Sequence, residues 1–145
     1  MTMVDVSAKP EVFREATAKG TIKLKPATIN LIKEGKTAKG DPLYTAKIAG
    51  ILAAKKTSEL IPLCHPLPLT NVEVEAQIVG NSAVEVTATV KTKAQTGVEM
   101  EALTTVSLAL LTVWDMTKQY EKDLEGQYPS TAIENIHVVK KLKRA

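Results

Sequence analysis

A chain of 145 residues matches the commonest single-domain size, and 44% hydrophobic residues are enough to bury a core, so residues 1–145 read as one domain. Aromatic residues are only 3%, which leaves Val, Ile, Leu and Ala to build that core, as in a sheet covered by helices. The net charge of +3 is too mild to argue for a polyanionic partner, and its surplus lies largely in Lys140, Lys141, Lys143 and Arg144, a run that reads as a solvated end.

The single cysteine, Cys64, excludes an intrachain disulfide and a cysteine-rich zinc site, and suits a reducing cytosol. Met1 to Lys9 contains Asp5 and no apolar block, so no secretory signal is expected. The longest uncharged helical stretch, Ala102 to Trp114, falls short of the roughly 20 residues a membrane helix needs. A soluble, cytoplasmic protein without membrane contact is the expectation.

In chain order, Arg14 falls in an N-terminal segment with no clear pattern, and Thr21 to Lys25 reads as a short strand. Pro26 opens an apolar-periodic helix that stops near Gly35. After the polar loop Thr37 to Asp41, Pro42 starts a longer helix ending near Glu59. Asn71 to Val79 and Val84 to Lys91 alternate apolar and polar residues, and Gly80, Asn81 and Ser82 between them supply turn chemistry, which predicts an antiparallel hairpin. Thr96 and Glu99 fit a capping box at the head of a helix over Gly97 to Tyr120. That helix is apolar nearly all round, so one side is expected to meet the sheet and the other a second copy of the chain. Ile136 to Leu142 reads as a last strand. The order predicts an α+β, ferredoxin-like sandwich: an antiparallel four-stranded sheet with helices on one face.

Between the second helix and the hairpin lies LIPLCHPLPLT, where Pro62, Pro66 and Pro68 forbid both a regular helix and a central strand. An extended loop is expected, packed against the body or another subunit. It either holds His65 in one orientation for chemistry or lets Cys64 and His65 merely fill space. Asp115 and Lys118 share a helix face and form either an acid/base pair or a surface ion pair. Glu101 shares their face but stands about 21 Å away along the axis, so one small site can use both only if it spans two subunits packed antiparallel. Glu99 reads mainly as the capping partner of Thr96. Lys39 adjoins Gly40, where backbone can approach a ligand, and Lys55 ends the second helix; with Arg14 and His65 they could cradle a polyphosphate. No Walker loop, no dinucleotide fingerprint and no spaced metal-ligand set is present. The hairpin strands carry no Phe, Tyr or Trp, which argues against a nucleic-acid-binding sheet; a regulatory ligand-binding domain would not need Asp115, Lys118, Lys39 and His65 together.

LIPLCHPLPLT and TGVEMEALTTVSLALLTVWDMTK, with MVDVSAK before them and AKGDPLYTAKIAGILAAKKT between, closely resemble the cyclic pyranopterin monophosphate synthase family, molybdenum cofactor biosynthesis protein C. The likeness runs from Met3 to Lys118. It implies a ferredoxin-like subunit, a homohexamer built as a trimer of dimers, and an active site at the dimer interface. It also implies a small nucleotide substrate, the 3',8-cyclised dihydroguanosine triphosphate, converted to cyclic pyranopterin monophosphate and diphosphate with no redox cofactor. Whether Mg2+ accompanies the triphosphate is left open. By motif, the resemblance makes Asp115, Lys118 and Lys39 catalytic, and Leu63, Cys64, His65, Met100, Glu101, Glu99, Lys55 and Arg14 substrate-binding. Trp114 stands where the family often has Tyr, Thr117 where it has Cys or another small residue, Lys47 where many members have Arg, and Thr17 where many have a second N-terminal arginine. The end IHVVKKLKRA replaces the family's usual glycine- and lysine-rich tail.

Overall fold

The computed structural model describes residues 1–145. Its elements are β1 (Val12–Lys23), α1 (Pro26–Lys33), α2 (Pro42–Lys55), α3 (Thr57–Leu60), β2 (Leu69–Val79), β3 (Ala83–Ala94), α4 (Glu99–Glu121) and β4 (Ala132–Arg144). The strands form one antiparallel sheet in the order β2-β3-β1-β4, with α2 and α4 packed on one face. This is the ferredoxin-like α+β sandwich that the element order predicts.

β1 is the largest departure from the sequence reading, for it begins at Val12 and not at Thr21 and so includes Arg14. Its buried positions are Val12, Arg14, Ala16, Ala18, Gly20 and Ile22, a face too small and too polar to register as an alternating apolar strand. Small residues are needed there because α4 crosses directly above. A Cβ on Gly20 would stand 2.8 Å from both Ile136 Cγ1 and Val106 Cγ1, and 2.9 Å from Leu110 Cδ1. Gly20→Ala is therefore expected to destabilise the fold by about 1–3 kcal/mol through overpacking, read as an earlier urea midpoint with an unchanged slope.

The second predicted helix divides. α2 ends at Lys55, and the separate turn α3 follows after Lys56, whose φ of −110° and ψ of 7° break the helix. Thr57 bridges the break by donating its hydroxyl to the carbonyls of Ala53 and Ala54. The expected capping box is absent: α4 starts at Glu99 with Val98 as an N-cap that makes no side-chain hydrogen bond. Glu99 is thus the first helical residue, two positions before the one a capping-box glutamate occupies, and its charge sits at the positive end of the helix dipole.

Part of the apolar girth of α4 is covered within the chain, because α2 packs along it as well as the sheet. Val106, Ala109, Leu110 and Val113 are fully buried, while Leu111 remains 51% exposed. The four hydroxyls of Thr105, Ser107, Thr112 and Thr117 donate to carbonyls one turn back, so they add no unpaired polar group to a buried helix. The basic run at the C-terminus is solvated, as expected, with all four side chains exposed, but it is not loose. It lies in β4, which pairs with β1 almost to its tip, and Arg144 stacks its guanidinium 5.5 Å from the centre of the Phe13 ring. β4 also begins earlier than Ile136, because register irregularities near Thr17 and Lys19 and the left-handed Asn135 (φ 62°) interrupt its alternation. No helix of the chain is long and apolar enough to cross a membrane.

Candidate active site

Chemistry-bearing side chains gather at the two ends of α4. At its N-terminal end the proline-rich loop makes a turn, with Cys64 N–H donating to Ile61 C=O at 3.1 Å, and then runs extended into β2. Leu67 and Leu69 anchor it on the core, while Leu60, Ile61 and Leu63 face outward in the single chain instead of packing on the body. A cleft of about 270 Å³ forms between this loop, the start of α4 and the N-terminal segment, and Leu63, Cys64, His65, Glu99 and Met100 line it.

Glu101 lies behind Cys64 and is only 3% exposed. The Cys64 thiol donates to Glu101 Oε2 at 3.8 Å, whereas Oε1 has no partner at all. Burial pushes the Glu101 carboxyl above its ordinary range, and a buried acid with a free oxygen is what a proton donor requires. Burial and the neighbouring Glu101 push the Cys64 thiol up as well, so it stays a thiol and is no nucleophile. His65 Nε2 lies 2.7 Å from Val4 C=O. A carbonyl only accepts, so Nε2 carries a proton and donates it there.

The N-terminal segment is a component that sequence patterns did not reveal. Val4, Val6 and Lys9 line the cleft, and Gln95 Nε2 donates to Lys9 C=O at 3.1 Å, tying the segment down. It has no regular secondary structure, so no periodicity marks it. Glu99 turns its carboxylate into the same cleft and lies 3.9 Å from Lys141 in β4. Arg14 does not line the cleft: it is 9% exposed, its Nη2 donates to Gln95 C=O at 3.2 Å, and its Nε is unpaired.

At the C-terminal end of α4, Asp115 stands between two cations. Lys118 Nζ is 3.1 Å from Oδ1 and Lys39 Nζ is 3.4 Å from Oδ2, with Lys39 also donating to Asp115 C=O at 3.1 Å. Lys39 reaches across from the loop before α2, where the left-handed Gly40 (φ 107°) closes a turn pinned by the Thr37 hydroxyl. Tyr120 fixes the same loop by accepting from Ala38 N–H at 2.7 Å. Lys118 first, then Lys39, holds the Asp115 carboxyl below its usual range, so it remains a carboxylate into more acidic solution. Replacing either lysine, as in Lys118→Met or Lys39→Met, should move the protonation of Asp115 to higher pH, with the larger move for Lys118; a carboxyl ¹³C titration that matches the unaltered protein would contradict this.

The structure therefore brings Leu63, Cys64, His65, Glu99, Met100 and Glu101 together at one end and Lys39, Asp115 and Lys118 at the other. The two groups are separated by about 21 Å of helix. Lys55 joins neither: it stands over Leu69 to Val72 at the start of β2.

The MoaC family model matches residues 3–143. A relative from Pyrococcus horikoshii, named probable cyclic pyranopterin monophosphate synthase, is 60% identical over 97% of this chain and 88% of its own length. A relative of the same name from Sulfolobus acidocaldarius is 57% identical over 97% of this chain and 98% of its own. One from Methanothermobacter thermautotrophicus, 58% identical over 97% of this chain and 88% of its own, is named probable cyclic pyranopterin monophosphate synthase accessory protein.

Proposed function

The chain belongs to the MoaC family, and on that premise we propose that it converts (8S)-3',8-cyclo-7,8-dihydroguanosine 5'-triphosphate to cyclic pyranopterin monophosphate with release of diphosphate, in molybdenum cofactor biosynthesis. The observation that carries this reading is the match to relatives of that name along 97% of the chain. Substrate and products are at the same oxidation level, so the reaction calls for no redox cofactor. What it calls for is proton transfer while the purine and ribose are rebuilt, and positive charge while diphosphate departs from the α-phosphate.

The two ends of α4 supply both. Asp115, held ionised by Lys118 and Lys39, is the proton acceptor, and buried Glu101 is the donor; carboxyls shifted in opposite directions divide these roles. Lys39 and Lys118 offset phosphate charge, and Lys55 and Arg14, which join neither cluster within the chain, add only longer-range positive potential. His65, oriented through Val4, and the Leu63, Cys64 and Met100 walls hold the ring system.

Because donor and acceptor are too far apart within one chain, the site is assigned to an interface between two copies, in a homohexamer of three dimers. Support comes from the outer face of the helix layer, where Tyr44 (63% exposed), Ile48 (45%) and Leu52 (52%) follow one another at four-residue spacing on α2. The cytosol, which supplies nucleotides and keeps Cys64 reduced, is the assigned compartment.

The accessory name of the Methanothermobacter relative favours a second reading, binding of the intermediate without turnover. Incubating the purified protein with the cyclised nucleotide separates the two. One diphosphate per pterin is expected; tight binding with no product would favour the accessory role, and neither binding nor product would reject both.

A further inference from the structure

Beside Asp115 lies a second, shallower cleft of about 410 Å³, within the size range of small-molecule sites. Its floor is apolar, made by Leu111, Trp114 and Ile133, and its rim is charged, made by Asp115 and Lys118, with Lys39 paired to Asp115. Leu111, Trp114, Asp115 and Lys118 share one face of α4, at spacings of three, one and three residues. Trp114 is held in place by Tyr128, whose ring meets it at a centroid distance of 5.1 Å and an angle of 60°. An apolar floor bordered by the Lys118 ammonium, with a second ammonium, Lys39, paired to Asp115, fits one kind of occupant, a flat heterocyclic ring carrying an anionic tail. An alkyl anion would leave the indole unused, and a bare polyphosphate would leave the whole floor unused.

We propose that Trp114 is a specificity-determining residue that packs against the planar pyrimidine half of the substrate's purine-derived ring, across the shared site from the His65 walls of a second copy, while Lys39 and Lys118 face its phosphates. This rests on the reading of the substrate as a guanosine triphosphate derivative. Base packing on an aromatic ring is worth enough to change affinity roughly five- to 150-fold. Trp114 makes no contact with the Asp115 carboxylate that would alter its protonation, so its loss is felt in binding and not in the chemical step.

Trp114 is the only tryptophan of the chain, so its emission reports on this cleft alone. In the unaltered protein, GTP as probe is expected to quench that emission saturably, and inorganic tripolyphosphate is not. Trp114→Leu should raise KM for the cyclised nucleotide about five- to 150-fold with kcat within about threefold, and Trp114→Phe should fall between. Tripolyphosphate inhibition should be equal in all three proteins. The proposal is overturned if GTP leaves the emission unchanged, or if both variants keep the original KM. Emission that shifts with protein concentration and not with GTP assigns the cleft to a second copy, and also overturns it. If Trp114→Leu does not fold, the quenching and Trp114→Phe decide the matter. Quenching by GTP without any turnover leaves the platform standing and rejects the synthase reading; turnover without quenching does the reverse.

Discussion

Asp115→Asn is expected to lower kcat for pyranopterin formation by about two to four orders of magnitude while leaving the melting temperature where it was. The side chain is 60% exposed, and both its partners, Lys39 and Lys118, are lysines that water can solvate in its absence, so the fold loses little. Catalysis loses the one carboxylate that two cations keep ionised. The amide has the same shape and can still accept a hydrogen bond from either ammonium, but it cannot take up a proton. Lys118→Ala should reduce turnover comparably, since it removes both the main influence on Asp115 and a charge facing the substrate. A kcat within a few-fold of the unaltered enzyme, in either variant, would reject the role given to that residue.

The largest effect on stability is expected at Glu121, which no pattern in the sequence marked. It is fully buried at the last position of α4, and its two carboxylate oxygens accept from the Lys25 amide, the Thr28 hydroxyl and the Thr131 hydroxyl. One side chain thus ties the end of α4 to the start of α1 and to the entry of β4. Glu121→Ala would strand three donors in a buried pocket and cost about 3–5 kcal/mol, a fall in melting temperature on the order of 10 °C. Glu121→Gln keeps one strong acceptor and should cost markedly less. Equal melting temperatures for Glu121→Ala and the unaltered protein would show that the network is dispensable. Because Tyr120 and Lys118 lie within one turn, a loosened helix end should also weaken the seating of Lys39 against Asp115.

The reasons Glu121 was illegible are physical. An acid at a helix C-terminus opposes the helix dipole, so local rules place it in solvent, and two of its three partners come from positions 93 and 96 residues away in sequence. The hairpin and the long helix were legible because period-2 alternation in Val72 to Val90 and the apolar density of Ala102 to Val113 are local signals. The first half of β1 carries no strand signal because its inward residues are chosen for the closeness of α4 overhead, a tertiary requirement that favours Ala16, Ala18 and Gly20 over β-branched residues. The expected capping box failed on spacing alone: Thr96 and Glu99 have the right types, but the helix opens at Glu99. At the site, the approach of Cys64 to Glu101 and of Lys39 to Asp115 joins segments 37 and 76 residues apart, and only family-level likeness of the motifs suggested that they work together. The clamp of the N-terminal segment by His65 and Gln95 has no periodicity to mark it, and only the likeness of MVDVSAK to the family pointed to that segment.

Two clusters of titratable side chains stand at opposite ends of one helix, and an interface that unites them into one site is the proposal on which the mechanism depends. Co-expression of Glu101→Ala with Asp115→Asn tests it most directly. If each site takes Glu101 from one subunit and Asp115 from the next, random pairing leaves half of the dimers mixed, and each mixed dimer has one intact site of two. Activity should then recover to about one quarter of that of the unaltered enzyme, although each variant alone is inactive. A mixture no more active than either variant by itself would contradict the shared site.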